Sequence, residues 1–451
     1  MTGRARRPAY HFAPRKGWIN DPLGVTYRGG TYDVFYQYVP GATTWQPACQ
    51  WGHAVSADLV TFAEQSAALT PGDGDAGCWS GCVVAEHDLM LFTSVTPPDL
   101  SIGRVRCARP RDPAWREWAK GSYVVDVPAG TGAAAFRDPS VWWDNDVWRM
   151  LVGAALPGRT AAALTFTSPD LQQWTYSGVF AERSSSERNG AWTGSLWECP
   201  QLVRIDGEDV LLVSVWDDDA LQYVACARGV CSGGRFAAQA WQQLTFGAYY
   251  AATSFCDDEG KPALLQWLRG VGDPAAGWCG ALSIPQRLSI REGRVLAAPH
   301  PRVAAARARE VMSVRPVAAG EPVALPSWHC EVVLRPRHDT DVVRLAFSSQ
   351  RNGSDPAVTL TLDWEQAQFS LAAPDAEDDV SGPLDQRRSE VTLLLDGCLA
   401  EAYLGRSGVV AVPIRPATAV IGWLRVASSG GRADDDPLVG VWDLTREPRA
   451  D

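Results

Sequence analysis

The stretch Asp144-Asn145-Asp146-Val147-Trp148-Arg149-Met150-Leu151 decides the fold: a short polar turn runs straight into aliphatic and aromatic residues. It reads as a hairpin turn feeding a buried strand. The same text recurs as Arg28-Gly29-Gly30-Thr31-Tyr32-Asp33-Val34-Phe35-Tyr36 and Glu86-His87-Asp88-Leu89-Met90-Leu91-Phe92 upstream. Downstream it recurs as Asp206-Gly207-Glu208-Asp209-Val210-Leu211-Leu212 and Asp258-Glu259-Gly260-Lys261-Pro262-Ala263-Leu264-Leu265. The turns centre near 29, 87, 145, 207 and 259, so the steps are 58, 58, 62 and 52 residues. A period of that order belongs to four-stranded propeller blades. A second echo, Ser56-Ala57-Asp58-Leu59-Val60-Thr61-Phe62 against Ser168-Pro169-Asp170-Leu171-Gln172-Gln173-Trp174, lies 112 residues apart, close to two periods. The expected class is therefore all-β, with a five-bladed β-propeller over residues 1–298.

The periodicity stops after Gly280-Ala281-Leu282-Ser283-Ile284-Pro285, and an Ala- and Arg-rich stretch follows from Val303 to Glu310. This predicts a linker over 299–312 containing a short helix. Residues 313–451 again carry short strand-like runs between turns, among them Cys330–Leu334, Val342–Phe347, Val358–Leu362, Glu390–Leu395 and Ala419–Leu424. That pattern predicts a C-terminal β-sandwich.

A chain of 451 residues exceeds what one core usually holds, in keeping with two domains. The formal charge of -11 argues against a nucleic-acid partner and against an anionic membrane surface. The basic start, Met1 to Arg7, is followed by no apolar secretory core, and eleven scattered cysteines form no zinc pattern, so a reducing cytoplasm is expected. Twenty Trp residues admit two readings, a stiff core or flat faces on which sugars stack.

Three acids stand in unusual company: Asp21 in Trp18-Ile19-Asn20-Asp21-Pro22-Leu23-Gly24, Asp138 in Phe136-Arg137-Asp138-Pro139, and Glu198 in Trp197-Glu198-Cys199-Pro200. Singly, each has an ordinary reading as a turn starter, a solvated surface group or a strand end. Together they fall near the starts of three different blades, where a propeller brings distant residues to one axial funnel.

With these motifs the first part of the chain resembles glycoside hydrolase family 32, the invertase, inulinase and levanase family of β-fructosidases. Its signature Trp-Met-Asn-Asp-Pro-Asn-Gly is matched at Trp18 to Gly24, with Ile19 and Leu23 as departures. Its Arg-Asp-Pro and Glu-Cys-Pro motifs stand at Arg137-Asp138-Pro139 and Glu198-Cys199-Pro200. Phe35-Tyr36-Gln37, Trp51 to Ser56, Trp79-Ser80-Gly81 and Asp396 to Tyr403 match in the family's order.

The resemblance implies a retaining glycosidase, which needs a carboxylate nucleophile and a carboxylic acid about 5 Å apart. By analogy Asp21 attacks the anomeric carbon of fructose, Glu198 protonates the departing oxygen and then activates water, and Asp138 binds fructose hydroxyls. Asp21 must be ionised, helped by Asn20, and Glu198 must carry a proton, favoured by burial against Trp197 and Cys199. Arg137 would orient Asp138 and keep it charged. Asn20, Gln37, Trp45, Trp79, Ser80 and Arg137 would bind the sugar, whereas Trp51 and His53 would hold the blade together. No metal or cofactor is implied.

Two departures bear on the pocket. Leu23 stands where an amide would organise the loop under the nucleophile. The segment Thr245 to Ala251 lacks the acidic residues usual there, which leaves the fifth blade's contribution open. The implied reaction is hydrolysis of terminal β-fructofuranosyl residues of sucrose or short fructo-oligosaccharides. Transfer of fructose to a sugar, cleavage of inulin or levan at the same site, and an inactive carbohydrate-binding protein are the alternatives.

Overall fold

In the computed structural model, which describes residues 7–374, 379–414, 421–430 and 436–444, each of the five turns joins the first two strands of a four-stranded antiparallel unit. The units span 17–69, 77–125, 135–184, 196–243 and 249–299. The expectation of an all-β chain, a five-bladed propeller and then a sandwich, holds. In the fifth blade the third strand is broken into Trp278–Leu282 and Gln286–Arg291, both paired with Pro262–Asp273.

The break closes the ring. Trp278 and Cys279 pair in parallel with Gly17 and Trp18, so the first and fifth blades share one nine-stranded sheet. The approach is close enough to require glycine. Gly280 has φ +84°, and a Cβ there would lie 2.0 Å from the Ile19 carbonyl oxygen.

Apolar side chains fill the spaces between blades. Phe35, Trp51, Phe92 and Trp115 pack between the first two; Leu91, Phe136, Met150 and Leu164 between the second and third; Phe180, Trp197, Leu211 and Phe236 between the third and fourth. Each such side chain contributes roughly 2–3 kcal/mol of transfer free energy. The second echo is one turn used twice, joining third strand to fourth. The Ser56 and Ser168 hydroxyls accept from Leu59 N and Leu171 N, and the Asp58 and Asp170 carboxylates accept from the amides just beyond. Leu59 and Leu171 are both left-handed, at φ 59° and 64°.

After Pro299 a single helical turn, Pro301–Ala305, begins with the His300 side chain accepting from Arg302 N. The first sandwich strand is Arg309–Pro316. Two sheets follow, one containing His329–Arg335, Val391–Asp396, Leu399–Tyr403, Val409–Pro413 and Leu438–Asp443, the other Val342–Ser348, Val358–Asp363, Gln368–Ala372 and Trp423–Ser429. Strand Val358–Asp363 buries every second residue, the two-residue period of a sandwich face. The strand expected over Ala419–Leu424 begins at Trp423; Ala419 and Val420 lie outside the described residues.

The two domains are joined by more than the linker. Thr245–Gly247, just before the fifth blade, pairs in parallel with Val409, Val410 and Ala411 and forms the edge of a sandwich sheet. Nearby, His11 lies between two buried sandwich carboxylates, Nδ1 at 2.7 Å from Asp396 and Nε2 at 2.9 Å from Glu401.

Candidate active site

The first strand of every blade breaks register at an equivalent place: between Ile19 and Pro22, Trp79 and Gly81, Arg137 and Ser140, Glu198 and Gln201, and Tyr250 and Thr253. Such bulges bend a strand and re-aim its side chains. Asp138, Cys199 and Ala251, at φ 67°, 47° and 47°, hold the left-handed backbone this needs. Proline follows in three blades as Pro22, Pro139 and Pro200, a residue without an amide hydrogen placed where ladder pairing lapses. The X-Pro motifs of the sequence are these five-fold irregularities seen three times.

The bulges direct Asn20 and Asp21, Ser80, Asp138, Glu198 and Tyr250 to one cavity of about 600 Å³. All nine residues singled out in the sequence line it: Asn20, Asp21, Gln37, Trp45, Trp79, Ser80, Arg137, Asp138 and Glu198. The wall also contains Trp18, Trp216, Asp219, Leu221, Tyr250 and Trp267. The Trp residues divide: Trp51, Trp115, Trp197 and Trp278 are fully buried, whereas five others face this cavity. Trp45 is 47% exposed at the rim and meets Trp79 edge-on at 5.7 Å.

A hydrogen-bonded chain supports Asp21. Gln37 Nε2 donates to Ser80 Oγ, and Ser80 Oγ donates to Asp21 Oδ2. Asn20 Nδ2 donates to Asp21 Oδ1 at 2.9 Å. Burial pushes the Asp21 carboxyl up, the Ser80 bond opposes this and the Glu198 charge adds to it, leaving it at about 6.

Asp138 is buried, its Oδ2 accepting from Cys199 N at 3.0 Å and its own amide donating to Thr93 Oγ1 at 2.8 Å. Burial and then the Glu198 charge raise it to about 7 against the pull of Arg137. The Cys199 thiol lies 3.8 Å from Asp21 Oδ2 and 3.7 Å from Asp138 Oδ2. Burial, reinforced by those carboxylates, pushes that thiol well up.

Glu198 differs from expectation. Its surroundings are polar: Oε1 accepts from Arg137 Nε at 2.9 Å, and Oε2 accepts from the Tyr250 hydroxyl at 2.6 Å. Trp197 instead turns into the core and donates from Nε1 to the Thr193 carbonyl. Arg137, assigned from sequence to Asp138, gives its hydrogen bonds to Glu198, because the bulge carries residue 138 round toward Cys199. It still acts on Asp138 through space.

Leu23 is not in the cavity wall; it is buried against Phe35, Trp51 and Phe92 between blades. Its apolarity is explained by packing. His53 Nε2 lies 2.8 Å from Asp33 Oδ1 within the first blade, whereas Trp51 Nε1 donates to Trp79 O at 2.9 Å and so ties the first blade to the second.

The fifth blade contributes Tyr250 and Trp267, neither of which was singled out in the sequence. The only signal for Tyr250 was its segment's departure from the family pattern at Thr245 to Ala251. Arg269 fastens that segment by donating to the carbonyls of Leu221, Gln222 and Gly247. Chemically, the cavity combines three clustered carboxylates, one guanidinium and a wall of indole rings. It suits acid–base and nucleophilic work on a neutral polyhydroxylated ligand.

Residues 11–299 match the glycosyl hydrolases family 32 N-terminal domain. A β-fructofuranosidase, insoluble isoenzyme 7, from Oryza sativa subsp. indica is 32% identical over 339 residues, 65% of this chain and 55% of that protein. A sucrose-6-phosphate hydrolase from Escherichia coli is 31% identical over 66% of this chain and 65% of its own length. The chain thus spans between half and two thirds of these relatives. Among solved structures, a GH32 β-fructofuranosidase from Bombyx mori superposes with a TM-score of 0.82 at 23% identity, covering 98% of this chain and 94% of that one. An exo-inulinase from Aspergillus awamori gives 0.81 at 20% identity, covering 99% of each.

Proposed function

The chain belongs to glycosyl hydrolases family 32, and on that premise we propose that it is a retaining β-fructofuranosidase cleaving terminal fructosyl units from sucrose or short fructo-oligosaccharides. The observation that carries the reading is the meeting of Asp21, Asp138 and Glu198, from three blades, in one indole-walled cavity.

In the first step an Asp21 oxygen bonds to the anomeric carbon of fructose while the glycosidic bond breaks, and the leaving oxygen takes a proton from Glu198. In the second, water gives a proton to Glu198 and its oxygen to the anomeric carbon, releasing Asp21. Glu198 Oε1 is held by the Arg137 guanidinium and Oε2 by the Tyr250 hydroxyl, which together fix the carboxyl group at the cavity wall. Asp138 accepts from fructose hydroxyls and stabilises the positive charge that develops on the ring.

The charge balance of the wall favours an uncharged substrate. Among the described residues it contains Asp21, Asp138, Glu198 and Asp219 but one cation, Arg137, already paired with Glu198. A phosphorylated sugar would bring further negative charge to this surface. We place the reaction in the cytoplasm, a reading supported by eleven cysteines that are all free thiols.

The test is fructose release from sucrose, sucrose 6-phosphate, inulin and levan side by side. Sucrose or a short oligosaccharide should give the highest kcat/KM, with equimolar glucose and fructose from sucrose even at high concentration. A preference for the phosphate ester, or accumulation of longer oligosaccharides, would overturn this choice of substrate and acceptor.

A further inference from the structure

We propose that Glu401, on the sandwich, positions Glu198, on the propeller, through the consecutive residues Tyr249 and Tyr250. The inference rests on the reading of Glu198 as the acid.

Successive residues of a strand face opposite ways. In strand Tyr249–Cys256 the two neighbouring rings therefore diverge, one to the domain seam and one to the cavity. Tyr249 is fully buried, and its hydroxyl donates to Glu401 Oε1 at 2.8 Å. The other carboxylate oxygen, Oε2, lies 2.9 Å from His11 Nε2 and accepts from the Tyr403 hydroxyl at 3.3 Å. Glu401 thus has both oxygens fixed and no exposed side-chain surface.

On the other side, Tyr250 donates to Glu198 Oε2, the oxygen opposite the Arg137 contact. The chain just before the pair has little freedom. Thr245–Gly247 is pinned to Val409, Val410 and Ala411, and Ala248 N donates to Ala411 O at 2.9 Å. Just after it, Ala251 holds a left-handed backbone at φ 47°, a conformation that persists only where its neighbours enforce it. The sandwich sheet, the Glu401–Tyr249 bond and the bulge together set where the Tyr250 hydroxyl stands, and that hydroxyl sets the direction of Oε2.

A positioning role differs from a purely structural one in its dependence on the leaving group. Sucrose needs its departing oxygen protonated; a nitrophenyl β-fructofuranoside, whose leaving group departs as a stable anion, needs little acid help. Tyr249→Phe keeps the ring and both buried ions and removes the hydroxyl, which donates to Glu401 at 2.8 Å and accepts from Gln286 Nε2 at 3.5 Å. Glu401→Gln keeps the size and an acceptor oxygen and leaves His11 paired with Asp396. Each variant, as full-length protein, should lose roughly tenfold in kcat on sucrose with KM within about twofold, and less than about threefold on the aryl fructoside. Tyr250→Phe should give the same signature more strongly.

Equal losses on both substrates, or no loss on sucrose, would overturn the proposal. If Glu401→Gln does not fold, Tyr249→Phe decides. A wild-type chain that released fructose from neither substrate would instead refute the family reading of the reaction, and the inference with it.

Discussion

At the scale of single residues, the charge of Asp21 governs the site. Held at about 6, it is protonated and inert as a nucleophile below that pH, so kcat/KM should rise through an acidic limb near pH 6. Ser80 Oγ donates to the ionised carboxylate and opposes the upward shift. Ser80→Ala should therefore move the limb to higher pH, and a limb that stayed or fell would contradict the assignment. Asp21→Ala should lower fructose release by on the order of 10⁴-fold or more without unfolding the chain, as followed by activity and circular dichroism. Asp138, raised from 3.8 to about 7, destabilises the fold when ionised. Its contribution is fully present below pH 3.8 and fades as pH rises through 7. Asp138→Asn should thus have a Tm roughly 2–4 °C above wild type at pH 8 and no advantage at pH 4. The acids were legible in the sequence because each adjoins an X-Pro or Pro-flanked motif. Tyr250 was not, because it sits beside Tyr249 in an apolar run where nothing local separates a core tyrosine from a pocket one.

At the scale of elements, the recurring bulge joins fold to chemistry. Turn periodicity reveals five blades, since hairpin turns have a composition of their own. The irregularity in each first strand depends on pairing with a partner strand and leaves a local trace only where proline follows. Hence three blades displayed their site residues, the second showed Ser80 through a family match alone, and the fifth was silent. The pairing of Arg137 with Glu198 was misjudged for the same reason: adjacency in sequence suggested Asp138, and the bulge separates the two side chains. The seam between the fifth and first blades is sensitive to a single atom. Gly280→Ala would press a Cβ against the Ile19 carbonyl, two residues from Asp21, at a left-handed φ of 84°. It should destabilise the protein by about 2–4 kcal/mol, read by urea denaturation, and lower kcat through displacement of the nucleophile strand.

At the scale of the whole molecule, two domains were visible in the sequence, but the contacts uniting them were not. His11 meets carboxylates 385 and 390 residues away, a distance no local pattern spans. Burial pulls the His11 imidazole down, yet Glu401 and Asp396 overcome it and lift it to about 9. Burial works against the Asp396 carboxylate too, but bonds from His11 and His329 hold it far below its ordinary 3.8. Stability from His11 is complete below its ordinary 6.5 and is lost as pH rises through 9; stability from Asp396 is present above 3.8 and lost in stronger acid. Scanning calorimetry should find Tm highest between about pH 4 and 6.5, falling toward pH 9, and His11→Gln should flatten the alkaline fall. The edge strand Thr245–Gly247 has a consequence for descent. A recombination that exchanged the C-terminal module at the helix 301–305 would orphan one strand of a sheet whose neighbour came from another parent. The unit that keeps this sheet whole spans both domains, so a chimera joined at that helix should be less stable than either parent.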